Sequence, residues 1–477
     1  MTDMDVTLAG LEPGPEATRE LVNQATERVI SHLRGLSTGP ASDFEDAEEV
    51  ARSLMEAMPQ EGQPAHEVLQ FLFDRVIPKG CYTNSPGMFS YINGGSCVHA
   101  AVADFITAAT NPYISYWGAA PALAQLEHTV VRWFADLLGL SAKAGGVLLS
   151  GGSIANLSAL VTARKALLDG DPSAGTVYAS DQVHHSVKKA LMIAGFADDA
   201  LRIIPSDDDC RLRLDLARER IHADRVAGRR PFCVVGNAGT TNTGAVDDLR
   251  GLADLARDEG LWFHVDAAYG GCFALTQRGK AALAGIERAD TIVLDPHKSL
   301  FTPFGTGCLL ARDVDTLRRA HELHSDYIDG VIETGEQAVA ANFADLSPEL
   351  SRGMRGLRVW LPIKLLGAAA FERALDEKID LAIFATERLR SMVGFELVAP
   401  PTLSILAFRA TRPGLSESEL DQLNRELLER VNNRRKVHLS ATTLRGRFTL
   451  RMCVLSLRSH AEAVQSCLDE LRECHGG

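Results

Sequence analysis

Lys298 is the residue whose placement most directly calls for chemistry. The apolar run Thr291-Ile-Val-Leu294 reads as a buried strand, and Asp295-Pro-His-Lys298 leaves its carboxyl end. Lysine is among the least buried residue types, so one directly after a buried strand is either snorkelling from the strand end or functional. An amine held there, with its pKa lowered by burial, can form a Schiff base with an aldehyde. Thirty-two residues earlier, Leu261-Trp-Phe-His-Val-Asp266 is a second strand-like run ending in a carboxylate, followed by Ala267, Ala268 and Tyr269. Alone, Asp266 reads as a cap or turn residue; if the two strands adjoin, it faces one pocket with Lys298.

Pyridoxal phosphate needs that pair. A carboxylate keeps its pyridine nitrogen protonated, so that the ring accepts electrons, and a lysine holds its aldehyde. The phosphate needs a cradle of its own. Leu148-Leu-Ser-Gly-Gly-Ser153 runs from a strand directly into the helical stretch IANLSALVTARKAL. Gly151 and Gly152 permit close backbone approach, Ser153 can donate its hydroxyl, and the free N–H groups of the helix start face the anion. No Walker pattern is present, which argues against a nucleotide there. His184 and His185 follow the strand end YASDQV, and at most one of them is expected to lie flat on the cofactor ring. A zinc site from His184, Asp266 and His297 is the rival reading, but no H-E-x-x-H or similar close ligand pair supports it, so no metal is expected.

The elements that must position these groups alternate. Between about residues 86 and 365 short apolar runs (GVLLSGG, TVYAS, RPFCVVGNAG, LWFHVDAAY, DTIVLDPHK) are interleaved with helical patterns from Ser153, over Val183 to Ala194, and over Leu249 to Glu259. This predicts an α/β fold with a mostly parallel sheet covered on both faces and its ligand beyond the strands' carboxyl ends. Before it, residues 1–85 read as a helical arm, with Leu21, Ala25, Val29 and Leu33 forming a stripe that needs a partner surface. After it, residues 366–477 read as a smaller α+β domain with a few antiparallel strands.

Composition bounds the function class. The 477 residues are 46% hydrophobic and 23% charged, enough for a large core in two or three domains. A formal net charge of −13 argues against nucleic acid or an anionic membrane as partner. Nine cysteines with no C-x-x-C pair suggest free thiols in a reducing compartment. The first sixteen residues lack a basic start and an apolar core, and no apolar run reaches about 18 residues. A cytoplasmic enzyme for small molecules is the expectation.

The segments NSPGMFSYINGG, PALAQLE, LLSGGSIANLSAL, YASDQVHHSVKKA, GTTNTGAVDDL, HVDAAYGG, DPHKSLF and RGLRVWLPIKLLG follow the order found in the group II pyridoxal-phosphate decarboxylases, which the chain resembles over roughly residues 65 to 470. That resemblance implies a fold type I enzyme: a seven-stranded-type large sheet, an N-terminal helical arm, a small C-terminal domain, and a homodimer with active sites at the subunit interface. It also implies decarboxylation of an L-amino acid substrate to an amine. By motif position Lys298 resembles the Schiff-base lysine, Asp266 the pyridine-nitrogen partner, Ala268 a residue packed on the ring, and His184 the stacked histidine. Gly152, Ser153, Asp295 and His297 match phosphate-contacting positions, and Thr241 one near the ring's hydroxyl and carboxylate side.

Three departures from the family pattern bear on product and substrate. A loop tyrosine that usually gives the α-carbon its proton falls on Phe343 in an ungapped count from RGLRVW, or on Leu346 with a three-residue gap. Neither carries a proton to give, and the nearest tyrosine is Tyr327. A long-lived carbanionic centre can then be attacked by oxygen, so oxidative formation of an aldehyde is the alternative to simple decarboxylation. In the substrate pocket, Tyr91 keeps an aromatic wall, whereas Ile92, Asn93, Gly94 and Ser115 replace larger aromatic and proline residues, which implies a more open pocket. Ile154 stands where a glutamate is common. An aminotransferase would use the same aspartate and lysine but not this motif order, and a non-catalytic scaffold homologue is opposed by the intact Lys298, Asp266, His184 and Ser153 set.

Overall fold

The computed structural model describes residues 11–323 and 341–476. Its centre is a seven-stranded sheet of β1 (Gly145–Leu149), β2 (Gly175–Ser180), β3 (Leu201–Ile204), β4 (Arg230–Asn237), β5 (Trp262–Asp266), β6 (Thr291–Leu294) and β7 (Gly307–Ala311). The spatial order is β1-β7-β6-β5-β4-β2-β3. All neighbours run parallel except β7, which is antiparallel to both β6 and β1.

Consecutive residues of the central strands fall into different core clusters. Val234, Ile292, Leu310 and Leu148 pack in one, while Val235, Val293, Leu309 and Val147 pack in others. Side chains alternate across a strand, so apolar layers cover both faces of the sheet, which is why these runs read as continuously hydrophobic. Each fully buried Val, Leu or Ile contributes roughly 1.5–3 kcal/mol from burial, which ties the covering helices to the sheet.

A second, four-stranded antiparallel sheet is built from β8 (Phe395–Ala399), β9 (Ile405–Ala410), β10 (Ser440–Leu444) and β11 (Arg447–Cys453), in the order β8-β9-β11-β10. Its apolar face shares one core with helices Ala368–Ser391, Glu417–Asn433 and Ala461–Gly476. Ser416 starts the second of these with a capping box to Glu419.

The N-terminal helix spans Pro15–Gly35 and buries none of its residues; Leu21 and Val29 of its stripe are exposed. It packs against helix Ala65–Phe71 and the segment after it, where the His32 ring meets Phe73 edge-on and Arg28 pairs with Asp74 at 3.5 Å.

Candidate active site

β5 and β6 are adjacent and parallel, with Asp266 in register with Val293, so both strands deliver their carboxyl ends to the same edge. β1 ends there too: Leu149 pairs with Gly307, the first residue of β7, and the chain turns at Ser150 and Gly151 into helix Gly152–Leu168. A cavity of about 420 Å³ opens at this edge. Gly152, Ser153, His184, Thr241, Asp266, Ala268, Asp295, His297 and Lys298 all line it.

The helix start has no side-chain cap, so its first N–H groups have no intrahelical partner and lie beside exposed Ser153. A Cβ at Gly152 would lie 3.0 Å from Asp295 Oδ2 and 3.2 Å from the Ala268 Cβ, so any other residue would press on both side chains. Across the cavity Lys298 Nζ lies 3.0 Å from Asp295 Oδ2, and His297 Nε2 is 3.6 Å from the same oxygen. Asp295 is buried and its Oδ1 has no hydrogen-bond partner. An ionised carboxylate only accepts hydrogen bonds, so Asp295 is suited to hold the lysine ammonium rather than to donate to a phosphate. His297 Nδ1 sits 2.7 Å from the Thr306 carbonyl, and burial lowers the pKa of its ring.

Asp266 accepts one N–H bond at each oxygen, from Ala268 N at 3.1 Å and from Asn156 Nδ2 at 2.9 Å. His184 is half-buried, with Nδ1 2.8 Å from Ser186 Oγ. Desolvation lowers its pKa and outweighs the nearby Asp266 charge, so its ring is neutral at neutral pH. His185 is exposed and tilts against His184 at 4.1 Å.

The residues expected to shape the substrate pocket border this region without lining the cavity itself. Tyr91, Ile92, Asn93, Gly94 and Ser115 are absent from the cavity lining. The Asn93 amide is spent on the Thr83 carbonyl and Gly95 N–H, and the buried Ser115 hydroxyl donates to the Leu350 carbonyl. Gly94 packs behind the lysine turn, where a Cβ would run into the Lys298 carbonyl oxygen. Tyr91 is exposed, in a left-handed conformation at φ 59°.

Phe343 and Leu346 are both buried and also lie off the cavity. The Phe343 ring stacks on His128 at 4.2 Å, and the Arg352 guanidinium lies 4.9 Å over it. Arg352 in turn forms a fully buried ion pair with Glu127 at 2.6 Å. In this chain Phe343 is thus a packing residue, which corrects its expected place among reacting groups. Tyr327 lies outside the described residues.

Two contributors escaped the sequence reading. Asn156, inside an apolar-looking helix, is buried and bridges Asp266 to Ser186. Arg451, on β11, is buried with no ion pair among the described residues; its guanidinium donates to the carbonyls of Asn242 and Thr241 and to Ser440 Oγ. It puts uncompensated positive charge beside Thr241. A buried arginine within an otherwise apolar strand run, FTLRMCVL, is the signal that could have found it.

Comparison with known proteins fits this geometry. Residues 48–411 match the family model described as the pyridoxal-dependent decarboxylase conserved domain. An aromatic-L-amino-acid decarboxylase of Bacillus atrophaeus is 35% identical, with 97% of this chain and 96% of that protein covered. A phenylacetaldehyde synthase of Arabidopsis thaliana is 28% identical, with 92% of each chain covered. The crystal structure of Oryza sativa TDC with PLP and tryptamine superposes with a TM-score of 0.92 at 28% identity, over 98% of this chain and 99% of that one.

Proposed function

The chain belongs to the pyridoxal-dependent decarboxylase family, and from that premise we propose that Lys298, Asp266 and His184 form the centre at which it decarboxylates an aromatic L-amino acid. The family assignment makes it a pyridoxal-phosphate-dependent carboxy-lyase acting on an amino acid. The observation that carries the residue assignment is the convergence of Lys298, Asp266 and the uncapped GGS helix start on one cavity.

The donor set fits the cofactor. The free helix N–H groups and Ser153 suit a dianionic phosphate, Asp266 suits a protonated ring nitrogen, and Lys298 carries the amine for the aldehyde. When bound, pyridoxal phosphate links to an amine through its aldehyde and accepts into its ring the electron pair left by departing carbon dioxide. Asp266, fixed by two N–H donors, holds a negative charge where the ring nitrogen must keep its proton. Asp295 keeps the Lys298 amine at the cavity edge. His184 offers a neutral ring face, and the positive charge of Arg451 beside Thr241 favours an anionic group on that side.

The aromatic preference rests on the decarboxylase relative. A second reading, oxidative conversion to an aldehyde, is supported by likeness to an aldehyde synthase. That reaction consumes one oxygen and one water and releases aldehyde, carbon dioxide, ammonia and hydrogen peroxide. Incubating holoenzyme with tryptophan, tyrosine, phenylalanine and dihydroxyphenylalanine, and measuring amine, aldehyde and peroxide, separates the two. Amine equal to carbon dioxide supports the first reading; aldehyde equal to peroxide replaces it with the second.

A homodimer is part of the proposal. Helix Val98–Thr110 exposes Val98, Val102, Phe105 and Ile106, a contiguous apolar face that a second copy would cover. A reducing, cytoplasmic setting is supported by nine unpaired cysteines, eight of them buried. No helix among the described residues is long and apolar enough to cross a membrane.

A further inference from the structure

Behind the cavity lies a chain of buried polar side chains for which decarboxylation itself gives no reason. Trp262 Nε1 is 2.9 Å from Thr291 Oγ1, Thr291 Oγ1 is 2.9 Å from His264 Nδ1, and His264 Nε2 is 2.9 Å from Asn156 Oδ1. Asn156 Nδ2 then reaches both Asp266 Oδ2 and Ser186 Oγ, each at 2.9 Å, and Ser186 Oγ reaches His184 Nδ1 at 2.8 Å. His264 and Thr291 are fully buried, and Asn156 and Ser186 nearly so.

The directions of these bonds follow from the carboxylate at one end. The Asp266 carboxylate only accepts, so the Asn156 amide turns its NH2 toward it and toward Ser186 Oγ and leaves Oδ1 for His264. His264 Nε2 must then donate to Asn156 Oδ1, and the neutral ring keeps Nδ1 bare to accept the Thr291 hydroxyl, whose oxygen in turn accepts from Trp262 Nε1. The Ser186 backbone N–H donates to His184 Nδ1 at 3.3 Å, which requires that nitrogen to be bare, so Ser186 Oγ, accepting from Asn156, gives its own hydrogen to the same nitrogen. The only hydrogen left to the His184 ring is on Nε2.

We propose that Asn156, oriented by His264, is the positioning residue of the active site: it fixes Asp266 and, through Ser186, holds His184 as the neutral Nε2–H tautomer, so that His184 presents a hydrogen-bond donor and not a base to the bound substrate. The assignment rests on the reading of this cavity as the catalytic one. Burial supports it, because both imidazoles are held neutral by desolvation. An Asn156 amide turned the other way would set its oxygen against the Asp266 carboxylate, which is repulsive.

Nitrogen NMR of full-length holoenzyme carrying labelled histidine tests this without turnover, so failure of the decarboxylase reading leaves the spectrum interpretable. The His184 signals are identified by their loss in His184→Gln. The expected spectrum of the wild-type protein at neutral pH has His184 Nε2 protonated and Nδ1 bare; a protonated Nδ1, or a cationic ring, overturns the proposal. In Asn156→Leu and His264→Phe the His184 signals are expected to move toward a mixture of tautomers, with kcat about tenfold lower and KM changed less than about twofold. His264→Gln keeps a donor toward Asn156 and is expected to restore both the wild-type signals and kcat to within about threefold. If kcat falls in His264→Phe while the His184 signals stay in place, His264 acts only in packing and the relay is rejected. Should the apolar variants not fold, the wild-type and His264→Gln spectra decide alone.

Discussion

The two sides of the cavity are built on opposite principles. On the β5 side each member of the buried Trp262–Thr291–His264–Asn156–Asp266 row has a hydrogen-bond partner, and the row meets the cavity only at its Asn156–Asp266 end. On the side of helix Gly152–Leu168 the start is uncapped, Ser153 is exposed and Asp295 Oδ1 has no partner. A satisfied buried network is rigid and orients its members before anything binds. Unpartnered donors at a helix start are costly unless an anion or water completes them. One side is preorganised for geometry and the other is left incomplete for a ligand.

Substitutions can break that contrast in order of effect. Lys298→Ala removes the amine itself, and more than about a thousandfold loss of activity is expected together with loss of the covalently bound cofactor's absorbance band, read by ultraviolet–visible spectroscopy. Asp266→Asn keeps the shape of the rigid side but places an amide where the charge stood; kcat about a hundredfold lower is expected in steady-state assays. On the incomplete side Ser153→Ala removes one donor to an anion, and cofactor titration should give a Kd about tenfold weaker, with the apo protein's melting temperature unchanged.

A further effect concerns stability. Burial pushes the His264 pKa down to about 4 in the folded chain. As pH falls the unfolded chain takes up this proton first, so the stability is complete above the unfolded pKa and lost progressively as pH falls to about 4. His264→Gln has no such proton to refuse. Denaturant unfolding at a series of pH values should therefore show the wild-type protein losing about 3 kcal/mol more than the variant between pH 6.5 and 4.

Much of this was legible in the chain, and the failures follow a physical pattern. Strands with both faces buried announce themselves as apolar runs, and β1, β2, β4, β5 and β6 coincide with the runs that predict them. Helix Leu249–Glu259 matches its expected bounds. β3 is a four-residue edge strand with Ile203 exposed, too short and too mixed to stand out. Lys298, Asp266, His184 and the GGS turn were visible because each follows a strand that sets its position.

Partners distant in sequence were not visible. Phe343 could be aligned to a loop position, but its stacking on His128 arises from a contact across more than two hundred residues. Asn156 and His264 sit in segments that read as plain helix and strand, and only the pairing of those elements shows why polar residues are buried there. Asn93 and Ser115 show the same limit, because the Thr83 and Leu350 carbonyls that hold their side chains are not evident from motif position.

The most direct test of the central claim is chemical. Holoenzyme reduced with borohydride, digested with trypsin and analysed by mass spectrometry reports which lysine carries the cofactor. A pyridoxyl adduct confined to Lys298 is the predicted result; an adduct on another lysine, or none in protein that holds the cofactor, would contradict the account.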